Sequence, residues 1–351
     1  MANVLMKGNE VVAEAAIRAG CQAFFGYPIT PQSEIPEYFA REMPKYGRLF
    51  LQAESEMAAM NMCMGASASG ARVMTSTSGP GYCLKLEALA AMTLTRLPAV
   101  VCLVMRSGPA FGTMKAAQED YRMIGNGGYQ VVKLAPASLQ EAADMVFEAF
   151  DIADQYRNPV VIMMDGMLGQ MMESVDFDRL PEARKNLPPK DWALHGKGQR
   201  GGKPLLHFVH DGKSHYQEKH DCETIDYPEI IRNETRVETE NLEDAEIVIC
   251  AYGTASRMAR AAMEALGGKY RIGFIRPQTL WPFPYDAFRQ IGPGCRAVLV
   301  PEINIMGQMI DDVRIALEGR IPAYHVGDSA SDFLQPTDIL ARIEELMKEG
   351  E

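Results

Sequence analysis

The stretch VMTSTSGPGYCLKLEALAAMTLTRLPAVVCLVM, Val73 to Met105, sets the fold class. Val73–Thr77 and Ala99–Met105 are short apolar runs of strand length, and Tyr82–Thr95 is typical of a helix. The letters SGPG between the first strand and the helix predict a tight loop at 78–81. Strands that alternate with helices at this spacing predict a mostly parallel α/β sheet with helices on both faces.

The same alternation continues on both sides of this stretch. Further strands are predicted at Ala23–Gly26, Leu49–Gln52, YQVVKLA and PVVIMMD, and helices at Asn9–Ala19, Pro31–Tyr46, Ser55–Ser69 and Ser138–Ala153. A second series contains the strands AEIVICAYG, YRIGFIRP, RAVLVPE and AYHVG and the helices Thr254–Leu266 and Thr337–Lys348. We therefore predict an α/β protein of two domains, 1–170 and 238–351, each a mostly parallel sheet flanked by helices. The segment 171–237 is rich in proline, glycine and charge and is predicted to be an extended connector.

The composition narrows the class of protein. The chain has 351 residues, of which 47% are hydrophobic and 23% charged, as expected of a folded protein with two cores. A net charge of −11 argues against nucleic-acid binding. No apolar run predicts a membrane span, and the first residues do not resemble a secretory signal. The seven scattered cysteines, without a C-x-x-C motif, predict reduced and mostly buried thiols in a cytoplasmic protein without its own iron–sulfur ligands.

Four unusual loops follow consecutive predicted strands of the first domain. Their sequences are GYPITP, QAESEMAAM, STSGPGY and VMRSGPAFGT. Each loop alone is explained by a tight turn. Because ligands bind at the carboxyl ends of parallel strands, the four together predict a binding site at one edge of the sheet.

Polar residues in these loops each allow two interpretations. Glu54 and Glu56 lie at the start of a helix. In one interpretation the helix dipole stabilises their negative charge. In the other, a carboxylate lies in a dry pocket that raises its pKa, so that it can exchange a proton with a ligand. Arg106 is either a surface cation or a bidentate partner for a substrate carboxylate. Thr30 either caps the helix that follows Pro31 or donates its hydroxyl to a substrate.

A histidine-rich segment offers a metal site as a further hypothesis. Five of the six histidines lie between His195 and His220, close to Cys222. Their spacing matches no zinc pattern, so we predict no metal site on this chain. The GKGQRG match at 196–201 has no strand before it and no helix after it, so we interpret it as a chance match to a dinucleotide motif.

Taken together, GYPITP, QAESEMAAMNMCMGASASGAR, TSTSGPG and VMRSGPAFGT resemble the alpha-type subunit of 2-oxoacid:ferredoxin oxidoreductases. These are thiamine-diphosphate enzymes with iron–sulfur clusters. The first domain resembles their pyrimidine-binding domain. The second, with YGTASR, RPQTLWPFP and VPEINIMGQM, is similar to their transketolase C-terminal-like domain. The length and the form YPITPQSEIPEY resemble the branched-chain (2-oxoisovalerate) type, with the 2-oxoglutarate type as the alternative.

The resemblance implies roles for individual residues. The helix glycines Gly65 and Gly70 place Glu56, rather than Glu54, on the family glutamate that contacts N1′ of the aminopyrimidine. A carboxylic acid there favours the imino tautomer, which takes the proton from C2 of the cofactor, and the cofactor then acts as electron sink for decarboxylation. Thr30 and Arg106 match the family's substrate-binding threonine and arginine. The cofactor pocket would also contain Tyr27, Pro28, Ile29, Ser78, Gly79, Pro80 and Gly81.

The resemblance also implies partner subunits. The chain lacks the GDG motif that binds diphosphate and Mg²⁺ in thiamine-diphosphate enzymes. A beta-type subunit would supply that half of the site, and gamma- and ferredoxin-like delta-type subunits would carry the clusters. The implied reaction of anaerobic metabolism converts a 2-oxoacid and CoA to acyl-CoA, CO₂ and reduced ferredoxin. A non-catalytic structural subunit is the alternative, and AFGT at 110–113 departs from the STG-like run of the family.

Overall fold

The computed structural model describes residues 3–109, 114–125, 127–194, 196, 212–327 and 334–348. The strands are β1 (Val4–Lys7), β2 (Ala23–Gly26), β3 (Leu49–Gln52), β4 (Val73–Thr77), β5 (Val100–Met105), β6 (Val132–Leu134), β7 (Val160–Asp165), β8 (Met172–Val175), β9 (Val237–Glu240), β10 (Ile247–Cys250), β11 (Ile272–Pro277), β12 (Thr279–Trp281), β13 (Ala297–Pro301) and β14 (Ala323–Val326). The helices are α1 (Gly8–Arg18), α2 (Glu34–Glu42), α3 (Glu56–Ala68), α4 (Gly79–Leu94), α5 (Leu139–Tyr156), α6 (Gly166–Gln170), α7 (Gly212–Asp221), α8 (Tyr227–Glu234), α9 (Gly253–Leu266), α10 (Met309–Leu317) and α11 (Pro336–Lys348).

Two mainly parallel sheets organise the chain, which confirms the predicted fold class. The first has seven strands in the order β12-β6-β7-β5-β4-β2-β3, and every neighbouring pair is parallel except β12 with β6. The second has five strands in the order β14-β13-β10-β11-β9, where β9 is the antiparallel edge. A further antiparallel pair joins β1 to β8.

Helices cover both faces of the seven-stranded sheet, and every residue of its central strands β4, β5 and β7 is buried. On β5, Cys102 and Val104 pack with the cluster that contains α1 and α5, whereas Val101 and Leu103 pack with the cluster that contains α3 and α4. This alternation is the two-residue period of a strand with two buried faces. Each fully buried aliphatic side chain of this kind contributes about 1.5–3 kcal/mol to stability.

Two element boundaries in the site region were predicted wrongly. SGPG does not form a separate loop: Ser78 is the N-cap residue and α4 begins at Gly79, with Pro80 in the first turn. Proline is tolerated there because a first-turn amide has no intrahelical acceptor. The helix expected from Pro31 begins instead at Glu34 after Ser33, so Thr30 does not cap it. Its C-terminal part, Met43–Tyr46, is a 3₁₀-helix.

The segment 171–237 is not an extended connector in its described parts. It contains β8, α7 and α8, and Ile230 of α8 is fully buried against the core of the first sheet. Polar composition concealed these elements, because few of their side chains face the core. In addition, β12 from the second half of the chain forms an edge of the first sheet. The division at 170 and 237 stays a prediction.

The remaining sequence predictions concern cysteines, membrane spans and metal sites. All seven cysteines are free, and all except Cys83 are buried. Across the described ranges, no helix has the length and apolarity needed to cross a membrane. No cluster of potential metal ligands occurs in that part of the chain either. The histidines His195, His207 and His210, most of GKGQRG, and AFGT at 110–113 lie outside the described residues.

Candidate functional site at the carboxyl edge of the first sheet

The four predicted loops leave the same edge of the seven-stranded sheet. The strands β3, β2, β4 and β5 lie side by side and run parallel, so their carboxyl ends meet. The loop after β2 is tied to β4 through the buried side chain of Gln32. Ser76 Oγ donates to Gln32 Oε1 at 2.5 Å, and Gln32 Nε2 donates to the carbonyl of Tyr27 at 3.1 Å. Sequence reasoning did not identify Gln32, although it lies directly after the YPITP motif.

The structure separates the two candidate glutamates. Ser55 caps α3, because its Oγ accepts a hydrogen bond from the backbone N–H of Ala58 at 3.1 Å. Glu56, the first residue of the helix, turns inward and is 3% exposed, whereas Glu54 is exposed. Only Glu56 therefore places its carboxylate in a dry environment.

Two neighbours contact the carboxylate of Glu56. Thr77 Oγ1, at the end of β4, donates to Oε1 at 2.7 Å. Lys85 Nζ lies 2.7 Å from Oε2 and forms an ion pair with it. That contact lacks hydrogen-bond geometry, and within the described residues Oε2 has no hydrogen-bond partner. The carboxylate is thus compensated in charge by Lys85, while only one of its oxygens accepts a hydrogen bond within the described residues.

Lys85 is fully buried and was missed by sequence reasoning. Besides the ion pair, Nζ donates to the backbone carbonyl of Glu56 at 3.2 Å and to Thr75 Oγ1 at 3.1 Å. The signal that could have found it is its spacing: Lys85 lies four residues after Gly81 and so shares its helix face. A lysine on an otherwise small and apolar helix face indicates a buried partner.

Two glycines let the first turn of α4 approach buried carboxylates. A Cβ on Gly81 would lie 2.2 Å from Glu56 Oε1 and 2.3 Å from Thr77 Oγ1, and a Cβ on Gly79 would lie 2.5 Å from Asp120 Oδ1. Any larger residue at either position would displace these oxygens. The SGPG segment therefore lets the backbone of α4 pack directly against two buried carboxylates.

Asp120 connects this turn to Arg106 and was also missed. The backbone N–H of Arg106 donates to Asp120 Oδ2 at 3.0 Å, while Oδ1 has no hydrogen-bond partner among the described residues. Burial raises the pKa of Asp120 to about 7, against the opposing effect of Arg106. The acid is poised to be neutral or charged near neutral pH.

Arg106 and Thr30 are adjacent in the structure. Arg106 Nη1 donates to the backbone carbonyl of Thr30 at 2.8 Å, and Arg106 is partly buried. Thr30 is exposed, as are Tyr27 and Pro28, and Ile29 is partly exposed. The structure thus brings the predicted pair together at the rim of the site and connects it through Asp120 and Gly79 to the turn that contacts Glu56.

Comparisons with known proteins identify the family. Residues 14–231 match the model described as pyruvate flavodoxin/ferredoxin oxidoreductase, thiamine diphosphate-binding. The chain belongs to the 2-oxoacid:ferredoxin oxidoreductase family. Residues 245–335 match the core domain II of pyruvate:ferredoxin oxidoreductase. The predicted resemblance to the alpha-type subunits of these oxidoreductases is confirmed.

Curated relatives in this oxidoreductase family match almost the whole chain. The ketoisovalerate oxidoreductase subunit VorB of Methanothermobacter thermautotrophicus is 42% identical over 352 residues, which cover 99% of this chain and 98% of VorB. The 2-oxoglutarate synthase subunit KorA of Methanocaldococcus jannaschii is 37% identical over 336 residues, which cover 88% of this chain and 90% of KorA.

Solved structures show the same fold. The 2-oxoglutarate:ferredoxin oxidoreductase from Magnetococcus marinus, with 2-oxoglutarate, coenzyme A and succinyl-CoA bound, matches with a TM-score of 0.84 at 25% identity. The match covers 98% of this chain and 65% of that oxidoreductase chain, which is therefore considerably longer. A split-gene transketolase, solved as an inactive beta4 tetramer, matches in fold with a TM-score of 0.60 at 15% identity.

Proposed function

We propose that this chain is the pyrimidine-side subunit of a CoA- and thiamine-diphosphate-dependent 2-oxoacid:ferredoxin oxidoreductase. The reaction is the oxidative decarboxylation of a branched-chain 2-oxoacid to acyl-CoA and CO₂, with ferredoxin as electron acceptor. The observation that carries the proposal is the buried Glu56 carboxylate, which packs directly against Gly81 and whose Oε2 has no hydrogen-bond partner among the described residues.

The donors and acceptors of this pocket fit an aminopyrimidine ring. A pocket for such a ring needs one buried carboxylate that accepts a hydrogen bond from a ring nitrogen. It also needs neutral hydroxyls beside the ring and glycines that let the backbone approach it closely. Glu56 supplies the carboxylate, Ser78 has a fully buried Oγ without a partner in the described part of the chain, and Gly79 and Gly81 permit the approach. Tyr27, Pro28, Ile29 and Pro80 are assigned to the walls of the pocket. When bound, thiamine diphosphate supplies the carbon nucleophile and the electron sink for decarboxylation.

Arg106 and Thr30 are assigned to the carboxylate of the 2-oxoacid. Arg106 uses Nη1 for the carbonyl of Thr30, which fixes the guanidinium at the rim of the site. The rest of the guanidinium fork offers the parallel donors that suit a carboxylate. Thr30, whose carbonyl Arg106 binds, also has a side-chain hydroxyl that adds a neutral donor. Both side chains act by holding the substrate in one orientation.

The relatives support a branched-chain substrate. The VorB relative is more similar to this chain, at 42% identity, than the KorA relative, at 37%. The alternative substrate is 2-oxoglutarate, because the M. marinus oxidoreductase, solved with that acid bound, shares the fold over 98% of this chain.

The other half of the cofactor site is assigned to a beta-type subunit. The sequence has no GDG motif, and Asp165 in MDG is already occupied. Its carboxylate accepts hydrogen bonds from the backbone N–H of Leu168 and from the backbone N–H and hydroxyl of Thr254. Asp165 therefore joins the two halves of the chain. Diphosphate and Mg²⁺ belong to the beta-type subunit, and iron–sulfur clusters to gamma- and ferredoxin-like delta-type subunits of a cytoplasmic complex.

The proposal is tested on the complex purified with its partner subunits. We expect CoA-dependent reduction of ferredoxin or viologen with 2-oxoisovalerate, at a kcat/KM at least tenfold above that with 2-oxoglutarate. The reverse preference would establish the 2-oxoglutarate alternative. Absence of thiamine diphosphate from the complex, together with no reduction by any 2-oxoacid, would refute the proposed function and favour a structural subunit.

A further inference from the structure

Lys85 is a buried cation directly behind the proposed cofactor carboxylate. Its side chain has no solvent exposure, and Glu56 is 3% exposed. We propose that Lys85 is a positioning residue for the thiamine-dependent reaction, which holds the Glu56 carboxylate in the orientation needed to accept a hydrogen bond from a ring nitrogen of the cofactor. This inference rests on the proposed function.

Three contacts hold the ammonium group in one place. Lys85 Nζ lies 2.7 Å from Glu56 Oε2, 3.2 Å from the carbonyl of Glu56 and 3.1 Å from Thr75 Oγ1. Two of these three contacts are with Glu56 itself, one with its side chain and one with its backbone. The lysine therefore fixes the start of α3 as well as the carboxylate, and Thr75 fixes the lysine.

Lys85 compensates the charge of its partner. A carboxylate in a buried pocket is costly unless a cation lies beside it. The attraction at 2.7 Å in a buried site is several times what it would be in bulk solvent. Lys85 would therefore let the Glu56 carboxylate accept a hydrogen bond from a ring nitrogen of the cofactor.

The two carboxylate oxygens are satisfied differently. Thr77 donates a hydrogen bond to Oε1, whereas Lys85 approaches Oε2 without hydrogen-bond geometry. Among the described residues, Oε2 therefore has a cation beside it but no hydrogen-bond donor. A purely structural ion pair would be expected to saturate both oxygens, because unsatisfied buried acceptors are costly.

The test compares Lys85→Met with Lys85→Arg in the assembled complex. We expect Lys85→Met to shift the near-ultraviolet circular dichroism of bound thiamine diphosphate from the imino to the amino tautomer. It should also lower kcat at least tenfold, with KM for the 2-oxoacid and the dissociation constant for thiamine diphosphate changed less than threefold. Lys85→Arg retains the charge and should restore most of the imino signal. Lys190→Met is the matched control, since Lys190 pairs with Asp154 at the same 2.7 Å outside the site.

A milder variant keeps the test decisive if Lys85→Met does not assemble. Thr75→Val removes the hydroxyl that holds Nζ but leaves the charge in place, and Thr75→Ser preserves the hydroxyl. We expect Thr75→Val to reduce the imino signal and kcat by about threefold, with Thr75→Ser close to wild type. Equal signals in both Thr75 variants would overturn the positioning role.

The outcomes separate this inference from the proposed function. A wild-type tautomer signal and kcat in Lys85→Met, together with their loss in Glu56→Gln, would overturn the role of Lys85 alone. Full activity in Glu56→Gln, or a wild-type complex that does not bind thiamine diphosphate, would overturn the proposed function instead.

Discussion

Two buried glutamates follow parallel strands in the two sheets, and they are satisfied in opposite ways. Glu302 follows β13 and is fully buried. It accepts hydrogen bonds from the backbone N–H groups of Gln308, Met309 and Ile310 and from Asn304 Nδ2. Glu56 follows β3 and is 3% exposed. It has one hydroxyl donor and one cation, and in the described part of the chain its Oε2 has no hydrogen-bond donor.

The difference shows that burial alone does not identify a functional carboxylate. Glu302 caps the start of α10, and its acceptor capacity is used by the protein, which is a structural arrangement. Glu56 is compensated in charge but incompletely hydrogen-bonded, which is an arrangement suited to a ligand. We therefore expect a glutamine substitution to lower turnover at Glu56 and to lower stability at Glu302.

The largest effect is expected from Glu56→Gln, which keeps the size of the side chain but removes the charge. Because general acid–base groups contribute about 10²–10⁴-fold to turnover, viologen reduction by the assembled complex should fall by that factor. Glu54→Gln, at the exposed position two residues earlier, should stay within twofold of wild type. A loss confined to Glu54→Gln would transfer the catalytic role to Glu54.

Asp120→Asn tests whether burial raises the pKa of a second carboxyl group at the same edge of the sheet, one that also lacks a full set of hydrogen bonds within the described residues. The folded-state pKa is raised from its ordinary 3.8 to about 7, so the fold favours the neutral acid. The neutral carboxyl group of Asp120 stabilises the folded protein at pH values below its ordinary pKa of 3.8. This stabilisation is lost as the pH rises towards about 7, by up to about 4 kcal/mol. The asparagine variant should remove this decline.

Thermal midpoints of the assembled complex between pH 4.5 and pH 8 measure the effect. The advantage of Asp120→Asn over wild type should grow as the pH rises. Asp338→Asn, on an exposed turn of α11, serves as the control with unchanged pH dependence. Parallel curves for wild type and Asp120→Asn would contradict the expectation.

Glu302→Gln should have the opposite profile to Glu56→Gln. The amide retains one acceptor and places an N–H₂ group against backbone N–H donors, so we expect a loss of about 3 kcal/mol in unfolding free energy. Turnover per folded complex should change less than threefold. Glu318→Gln, which is exposed, should leave the thermal midpoint unaltered. Normal stability with lost turnover would move Glu302 into the functional class.

Arg106→Lys is expected to have the smallest effect of the four. Lysine keeps the charge but loses the guanidinium fork, which binds the Thr30 carbonyl and, in the proposed role, would also bind the substrate carboxylate. KM for the 2-oxoacid should rise about tenfold, equivalent to about 1.4 kcal/mol, with kcat within threefold. Arg289→Lys, in an exposed ion pair with Asp286, is the control. A change in kcat alone would place Arg106 outside substrate binding.

Local signals predicted the elements that surround the site. The bounds of β2, β3 and β4 agree with the prediction because each is a short apolar run with a helix start or a turn on either side. The predicted helix Ser55–Ser69 agrees with α3, of which Ser55 is the N-cap residue. By contrast, β8 and β12 were missed, since their pairing partners lie far away in the chain.

The amino-acid sequence alone was enough for the α/β class, for the family and for Glu56, Thr30 and Arg106 as candidates, because strand periodicity and loop motifs are local properties. Contacts between distant segments had to come from the folded chain. Lys85 and Asp120 meet their partners only in the folded chain, where α4 packs on α3 and beside β5. Because both residues are buried there, each depends on its protein neighbours for hydrogen bonds and charge compensation. For the same reason only the fold could show that one oxygen of Glu56 has no hydrogen-bond partner among the described residues, whereas both oxygens of Glu302 accept hydrogen bonds.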